Sequence, residues 1–372
     1  MRIADVEAFA LPYIEPNDHG STRSVCLVKV TTDEGVAGWG EGVTLFEEAT
    51  RATAEVVRGL RPFLIGVEAT PSAVGEAMRQ RMWWYGAGGI ASFALSAVDT
   101  AVWDAMGRAQ GRSLLDLLGG PVHDSLPTLS SSHATLADLD EMAELMAGWI
   151  ADAESSGIKV GFGKAGEARL GFDADRDIAF VRTLRQALGP RLRIMIDIGA
   201  RIQWTPEEAI ARTRAFEEFG IDWIEEPLGA DNPSGYRALK DATTTRIAYG
   251  EREWTVRGIE RIVESGTVDV VGIDPGRAEG ITGFASAARF IHAHGVEANA
   301  HAFAGPIAYA ASLALSLSSP ACRQLEVPPY LNELYGIVGI PDRPIDGRVG
   351  PLTQPGLGFD VNEAAIRARA LT

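Results

Sequence analysis

Cysteine is nearly missing from this chain. Only Cys26 and Cys322 occur in 372 residues, far apart in sequence. Two isolated cysteines give neither a disulfide framework nor a cysteine-based zinc motif, so a reducing compartment, the cytoplasm, is expected. Long hydrophobic runs are also lacking. No stretch approaches the ~18 uninterrupted apolar residues of a membrane span. The opening MRIADVEAF has no basic segment leading into an apolar one, so no signal peptide is expected. Basic residues are scarce: 34 Lys and Arg face 50 Asp and Glu, a net charge of −16. That balance argues against nucleic-acid binding, which needs a basic face, and reads as a solubilising surface.

What is present suits a globular chain with more than one core, since this length suggests about two domains. The first ~120 residues read as an α+β unit. Ser24 to Thr32 is a β-rich run, and Asp33-Glu34-Gly35 is a turn leading into VAGWGEG, a hairpin that opens a meander. Phe46 to Phe63, Ala69 to Arg81 and Ala91 to Gln110 have helical spacing, the last stopping at Gly111. Trp83-Trp84-Tyr85 reads as a domain or subunit contact. Gly119-Gly120-Pro121 is a linker candidate. From about Leu126 short apolar strands alternate with helices. Strands are expected at 127–131, 159–164, 192–198, 223–226, 247–251, 268–273, 296–300 and 323–327. Eight such units suit a (β/α)-barrel of the TIM type, modified by its α+β N-terminal unit, so the fold class is α/β. The expected division is 1–122, then the barrel over 123–341, then a segment over 342–372 that returns to the first domain.

Catalytic groups of such barrels sit at the C-terminal ends of strands. Asp197 in RIMIDIG, Glu225 in DWIEEP and Glu251 in IAYGERE fall there on consecutive strands. With Asp197 inward, Ile194 and Ile196 face the helices, as alternation requires. Three converging carboxylates repel one another unless a hard cation sits among them, and oxygen-only ligands suit Mg²⁺. Further round, Asp274 ends DVVGID, His301 ends VEANAH and Glu326 lies in RQLEV. An aspartate beside a histidine orients the imidazole and raises its basicity, which makes a general base. His133, at the first strand's end, reaches a substrate hydroxyl or packs a loop. Arg252 binds substrate or pairs with Glu253. His19, on the lid at 14–23, is read as solvated or substrate-binding.

These residues resemble the enolase superfamily, mandelate racemase group, over nearly the whole chain. VAGWGEG and ALSAVDTAVWDAMGRAQGRSLLDLLGG are similar to that family's capping domain. MIDIG, WIEEPL, YGERE, GIDPGRAEGITG, AHAF and QLE are similar to its barrel. The resemblance implies Asp197, Glu225 and Glu251 as Mg²⁺ ligands, Asp274 and His301 as the base dyad, and Glu326 as an acid that hydrogen-bonds the substrate. Two positions depart from the pattern. Gly199 stands where an asparagine is usual. The second barrel strand, usually ending Lys-x-Lys with the second lysine as a base, reads SGIKVGFGKAG.

That strand has two registers. In one, Lys159 faces inward and Val160 and Phe162 lie against the helices. In the other, Lys164 takes the second-lysine place at the top, Phe162 takes the first and lines the substrate pocket, and Lys159 lies at the bottom, snorkelling to solvent. We adopt the second. His301 and Lys164 then flank the substrate as two bases. The expectation is Mg²⁺-dependent removal of the proton next to a carboxylate, giving an enediolate. Resemblance favours dehydration of a sugar acid, aldonate or aldarate, to a 2-keto-3-deoxy product. Racemisation or epimerisation of a hydroxy acid, or a non-catalytic barrel that binds metal or sugar acid, are the alternatives. A homo-oligomer is expected, and no membrane partner.

Overall fold

The computed structural model describes residues 1–164, 166–199, 201–301, 303, 305–339 and 346–371. The expected boundary at 341/342 lies outside them. Three antiparallel strands come first: β1 (Ile3–Glu15), β2 (Ser21–Thr32) and β3 (Ala37–Leu45), in the order β1-β2-β3. Helices α1 (Glu47–Leu64), α2 (Pro71–Met82) and α3 (Ile90–Gln110) follow. Their buried faces close over the sheet through Val28, Val30, Val57, Leu60, Met78, Ala94 and Val98. The glycines of VAGWGEG explain how close α3 comes. A Cβ on Gly38 would sit 2.2 Å from the Ala101 carbonyl oxygen, and one on Gly40 1.9 Å from that of Ala97. Neither position tolerates a side chain, and the alanines of α3 keep their side of the contact equally thin.

After the short α4 (Leu114–Leu117), strand and helix alternate: β4 (Leu126–His133), α5 (Leu139–Ala153), β5 (Gly157–Phe162), α6 (Ala174–Leu188), β6 (Arg193–Ile198), α7 (Pro206–Glu217), β7 (Trp223–Glu225), α8 (Pro233–Ala242), β8 (Arg246–Tyr249), α9 (Val256–Glu264), β9 (Val270–Ile273), α10 (Gly280–Ala293), β10 (Glu297–Ala300), α11 (Pro306–Leu317) and β11 (Leu325–Val327). The strands pair in parallel in the order β10-β9-β8-β7-β6-β5-β4-β11, and a bridge from Ala298 to Cys322 meets the open side. This is a modified TIM barrel under a capping sheet. Local signals set the helix starts. Thr205, for instance, caps α7 in a reciprocal box with Glu208, ahead of Pro206. Inside the barrel, Leu129, Met195, Trp223, Ala248 and Val270 fill one layer. Side chains two residues further along each strand form the mouth.

The chain ends on short elements: α12 (Leu334–Val338), β12 (Arg348–Val349) and α13 (Glu363–Arg369). β12 pairs with β4. α13 lies on the N-terminal sheet, where Glu363 meets Lys29 at 2.7 Å, Arg367 meets Glu7 at 2.7 Å, and the Leu371 amide donates to Ala10 at 2.8 Å. Among the described residues, no helix is long and apolar enough to cross a membrane.

Candidate active site

Strand register decides which side chains reach the mouth. Asp197 pairs with Glu225 on one side and with Gly161 on the other, so all three face the interior. Ile158, Val160 and Phe162 then face the helices. Phe162 is 0% exposed and packs edge-on against Phe180 of α6 and Phe216 of α7. This corrects the adopted register: Phe162 does not line the substrate pocket, and Lys159 does not lie at the bottom in solvent. β5 starts at Gly157, two residues earlier than expected, which makes Lys159 its third residue and points it inward. Its side chain is 3% exposed. Its ammonium lies 3.0 Å from Glu225 Oε2, 3.0 Å from Glu326 Oε1 and 3.8 Å from Asp197 Oδ2. Burial disfavours that charge, but Glu225, Glu326, Asp197 and Glu251 outweigh burial and hold the Lys159 pKa well above the ordinary lysine value.

The acids form one buried group. Glu225 also accepts from the Trp223 indole at 3.3 Å. Burial raises its pKa well above the usual carboxylate range, and the like charges of Asp197, Glu251 and Glu326 add to that against Lys159. Glu326 accepts from Asn299 Nδ2 at 2.5 Å, while its Oε2 is buried without a partner. Glu251 Oε2 is 3.6 Å from His301 Nε2. Burial would raise the Glu251 pKa, but His301, Lys159, Lys164 and Arg252 together bring it down to about 2. Among the described residues, no three of these side chains stand ready as a metal cage, and the Lys159 ammonium lies between Asp197, Glu225 and Glu326 instead. The donor chemistry nonetheless fits a hard divalent cation. The candidate donors, Asp197, Glu225 and Glu251, offer only carboxylate oxygens at or just past strand ends, and the repulsion that shifts Glu225 is what such a cation would relieve.

On the next strands, His301 Nδ1–H donates to Asp274 Oδ2 at 2.9 Å, since an ionised carboxylate only accepts. The Gly276 amide donates to the other Asp274 oxygen at 2.7 Å. The pair leaves Nε2 facing the carboxylates. Burial opposes charge on His301, yet Glu251 and Asp274 raise its pKa above the ordinary histidine value. Lys164 comes from the end of β5. A Cβ built on Gly161 would lie 2.8 Å from the Lys164 Cε, and one on Gly199 3.3 Å from it. The lysine stem thus occupies the space those two glycines leave. That accounts for the missing asparagine: any side chain at 199 would also meet the Phe162 carbonyl oxygen at 2.6 Å.

The hairpin turn of the N-terminal sheet covers this mouth. Asn17 Nδ2 donates to the Tyr330 carbonyl at 2.7 Å, and Asp18 holds Arg23 at 2.9 Å. His133 is buried at the end of β4, stacked on Phe303 with centroids 4.9 Å apart, and its Nδ1 is 3.6 Å from Asp18. Burial pushes the His133 pKa down to about 4. His19 lies over Gly166, where a Cβ would come within 2.2 Å of its Nε2. Arg252 pairs with Glu226, not with Glu253. Trp83 and Trp84 are 73% and 80% exposed. Sequence reasoning missed two residues. Lys159 was legible only as an inward lysine in the discarded register. Glu41, the glutamate of VAGWGEG, is buried and accepts from the Gly305 and Ala308 amides at 2.6 and 3.2 Å, at the start of α11.

Comparison with known proteins identifies the family. Residues 5–119 match the N-terminal domain of the mandelate racemase/muconate lactonizing enzyme family, and residues 141–365 match the Enolase C-terminal domain-like family. D-galactonate dehydratase of Ralstonia pickettii is 29% identical, covering 92% of this chain and 90% of its own. D-galactarolactone cycloisomerase of Agrobacterium fabrum is 27% identical with the same coverage. A Bradyrhizobium enolase, solved with magnesium and mandelic acid, superposes with a TM-score of 0.86 at 27% identity, covering 100% of this chain and 99% of that one. This chain belongs to the mandelate racemase group of the enolase superfamily.

Proposed function

We propose that this enzyme removes the α-proton of a sugar acid and eliminates the β-hydroxyl, giving a 2-keto-3-deoxy acid. The observation that carries the reading is the His301–Asp274 pair, whose free Nε2 faces the carboxylate cluster. Membership of the family implies a divalent metal, and Mg²⁺ is the ion proposed, at Asp197, Glu225 and Glu251. When bound there, it supplies positive charge to the substrate carboxylate as the α-carbon becomes electron-rich. His301 Nε2 takes the α-proton, and the C–H electron pair passes into the enediolate. The electrons then form the C2–C3 double bond as the C3–O bond breaks, and the departing hydroxyl leaves as water with a proton from His301 or Lys164. The enol so formed tautomerises to the 2-keto acid. In this reading Glu326 accepts a hydrogen bond from a substrate hydroxyl through its unpartnered oxygen, and His133 meets another hydroxyl.

Lys164 gives a second reading some support. A base on the face opposite His301 allows the proton to return inverted, which is epimerisation. A screen of aldonates and aldarates with Mg²⁺ in D₂O tests both. Formation of 2-keto-3-deoxy product supports dehydration. Deuterium incorporation with inversion and no keto product supports epimerisation. Absence of both exchange and product with every acid would refute α-proton chemistry.

A further inference from the structure

The Lys159 ammonium is a charge that the proposed chemistry does not use. Its Cα pairs with Met195, one layer beneath Asp197, and the side chain rises from that apolar layer into the acids. There it links residues on well-separated strands. Gln324 donates to Asn299 at 3.4 Å and Asn299 to Glu326 at 2.5 Å. Lys159 joins Glu326 to Glu225, and Trp223 donates to Glu225 at 3.3 Å. β11, β10, β5 and β7 are thus tied by one polar network, in which Lys159 is the cation that touches Glu225 and Glu326, while Arg193 reaches the network from its far end by donating to Gln324. A buried ion pair is seldom the cheapest way to stabilise a core, because apolar residues of similar volume often do as well. Removing one member, however, leaves uncompensated buried charge, which is costly. With four carboxylates around it, Lys159 cannot be lost without that cost.

We infer that Lys159 is a built-in counter-cation, a positioning residue that holds Glu225 and Glu326 in place and offsets their repulsion, so that the mouth is assembled before any divalent cation arrives. The ammonium sits beneath the carboxylate oxygens, at 3% exposure, so it acts on substrate only through the acids it holds.

The test compares wild type, Lys159→Met, Glu326→Gln and the double variant by thermal melting in chelator and in saturating Mg²⁺. In chelator, Lys159→Met should melt roughly 5 °C or more below wild type, the scale expected when a buried pair is broken. Glu326→Gln removes one of the acids left without a counter-charge, so the double variant should recover a clear part of that loss. Mg²⁺ should raise the melting temperature of Lys159→Met by more than it raises wild type, because the ion replaces the missing charge. Only this last arm rests on the assignment of Asp197, Glu225 and Glu251 as ligands. If Mg²⁺ shifts neither protein, that assignment fails while the chelator arm still judges Lys159. A Lys159→Met melt within about 1 °C of wild type in chelator would overturn the inference. So would a double variant no more stable than Lys159→Met, since the lysine would then act by packing rather than charge. If Lys159→Met does not fold, recovery of a folded double variant supports the inference and its failure overturns it.

Discussion

Glu41 Oε1 lies 2.6 Å from the backbone nitrogen of Gly305, so a strand of the N-terminal sheet caps the helix that follows His301. The same strand holds the loop after Asp274, through the Val43 amide and the Gly276 carbonyl at 3.1 Å. The small domain thereby grips both members of the dyad from behind. Burial lifts the Glu41 pKa from 4.5 to about 7, against the amide donors that favour its charged form. Its folded-state pKa is therefore raised. The stability it contributes is complete below pH 4.5 and is lost as pH rises through about 7. Glu41→Gln cannot titrate. Its melting temperature minus that of wild type should climb between pH 5 and 8, by an amount worth on the order of 3 kcal/mol. A difference that stays flat over that range would show that Glu41 is ionised throughout.

His301→Asn keeps a polar side chain but loses the base. Exchange of the substrate α-proton on that face should fall roughly 10²–10⁴-fold. Mg²⁺ binding, followed by calorimetry, should stay within about threefold, a difference of less than 1 kcal/mol. Unchanged exchange would leave Lys164 as the base.

Lys164→Ala tests the opposite face. It should abolish any product of inverted configuration and slow dehydration by about 10²-fold or more if Lys164 delivers the proton to the leaving hydroxyl. Full dehydration with this variant would assign both proton transfers to His301.

Phe162→Ala separates the two registers of β5 by stability rather than chemistry. Sandwiched between Phe180 and Phe216, the ring should cost about 3–5 kcal/mol on truncation. Urea denaturation checks this. Its effect on substrate KM should be small, because the side chain faces away from the mouth.

Asp197, Glu225, Glu251, Asp274, His301 and Glu326 were legible because each is a polar residue within or just past the C-terminal end of a short strand, where a barrel gathers its polar groups. β5 was harder. Its outward residues Ile158, Val160 and Phe162 alternate cleanly with Gly157, Lys159 and Gly161, but a lysine in the middle of a barrel strand looks unaffordable from local sequence. The acids that compensate it, Asp197, Glu225 and Glu326, stand on other strands, β6, β7 and β11, and no local pattern announces them. Glu41 was hidden for the same reason: the amides it caps belong to a helix far down the chain.

The contact of α13 with β1 bears on how the protein is made. β1 and β2 leave the ribosome before the barrel strands, yet Lys29, Glu7 and Ala10 wait for Glu363, Arg367 and Leu371. At about 5–20 residues per second, those partners emerge many seconds later, after the last barrel strand. The nascent small domain thus lacks its final brace while the barrel closes. The sheet that supplies Glu41 and the covering turn is locked only when translation has passed the whole catalytic domain. A ribosome stalled before residue 363 would hold a barrel whose cover is unlatched, and a protease should find that intermediate at the β1–β2 turn.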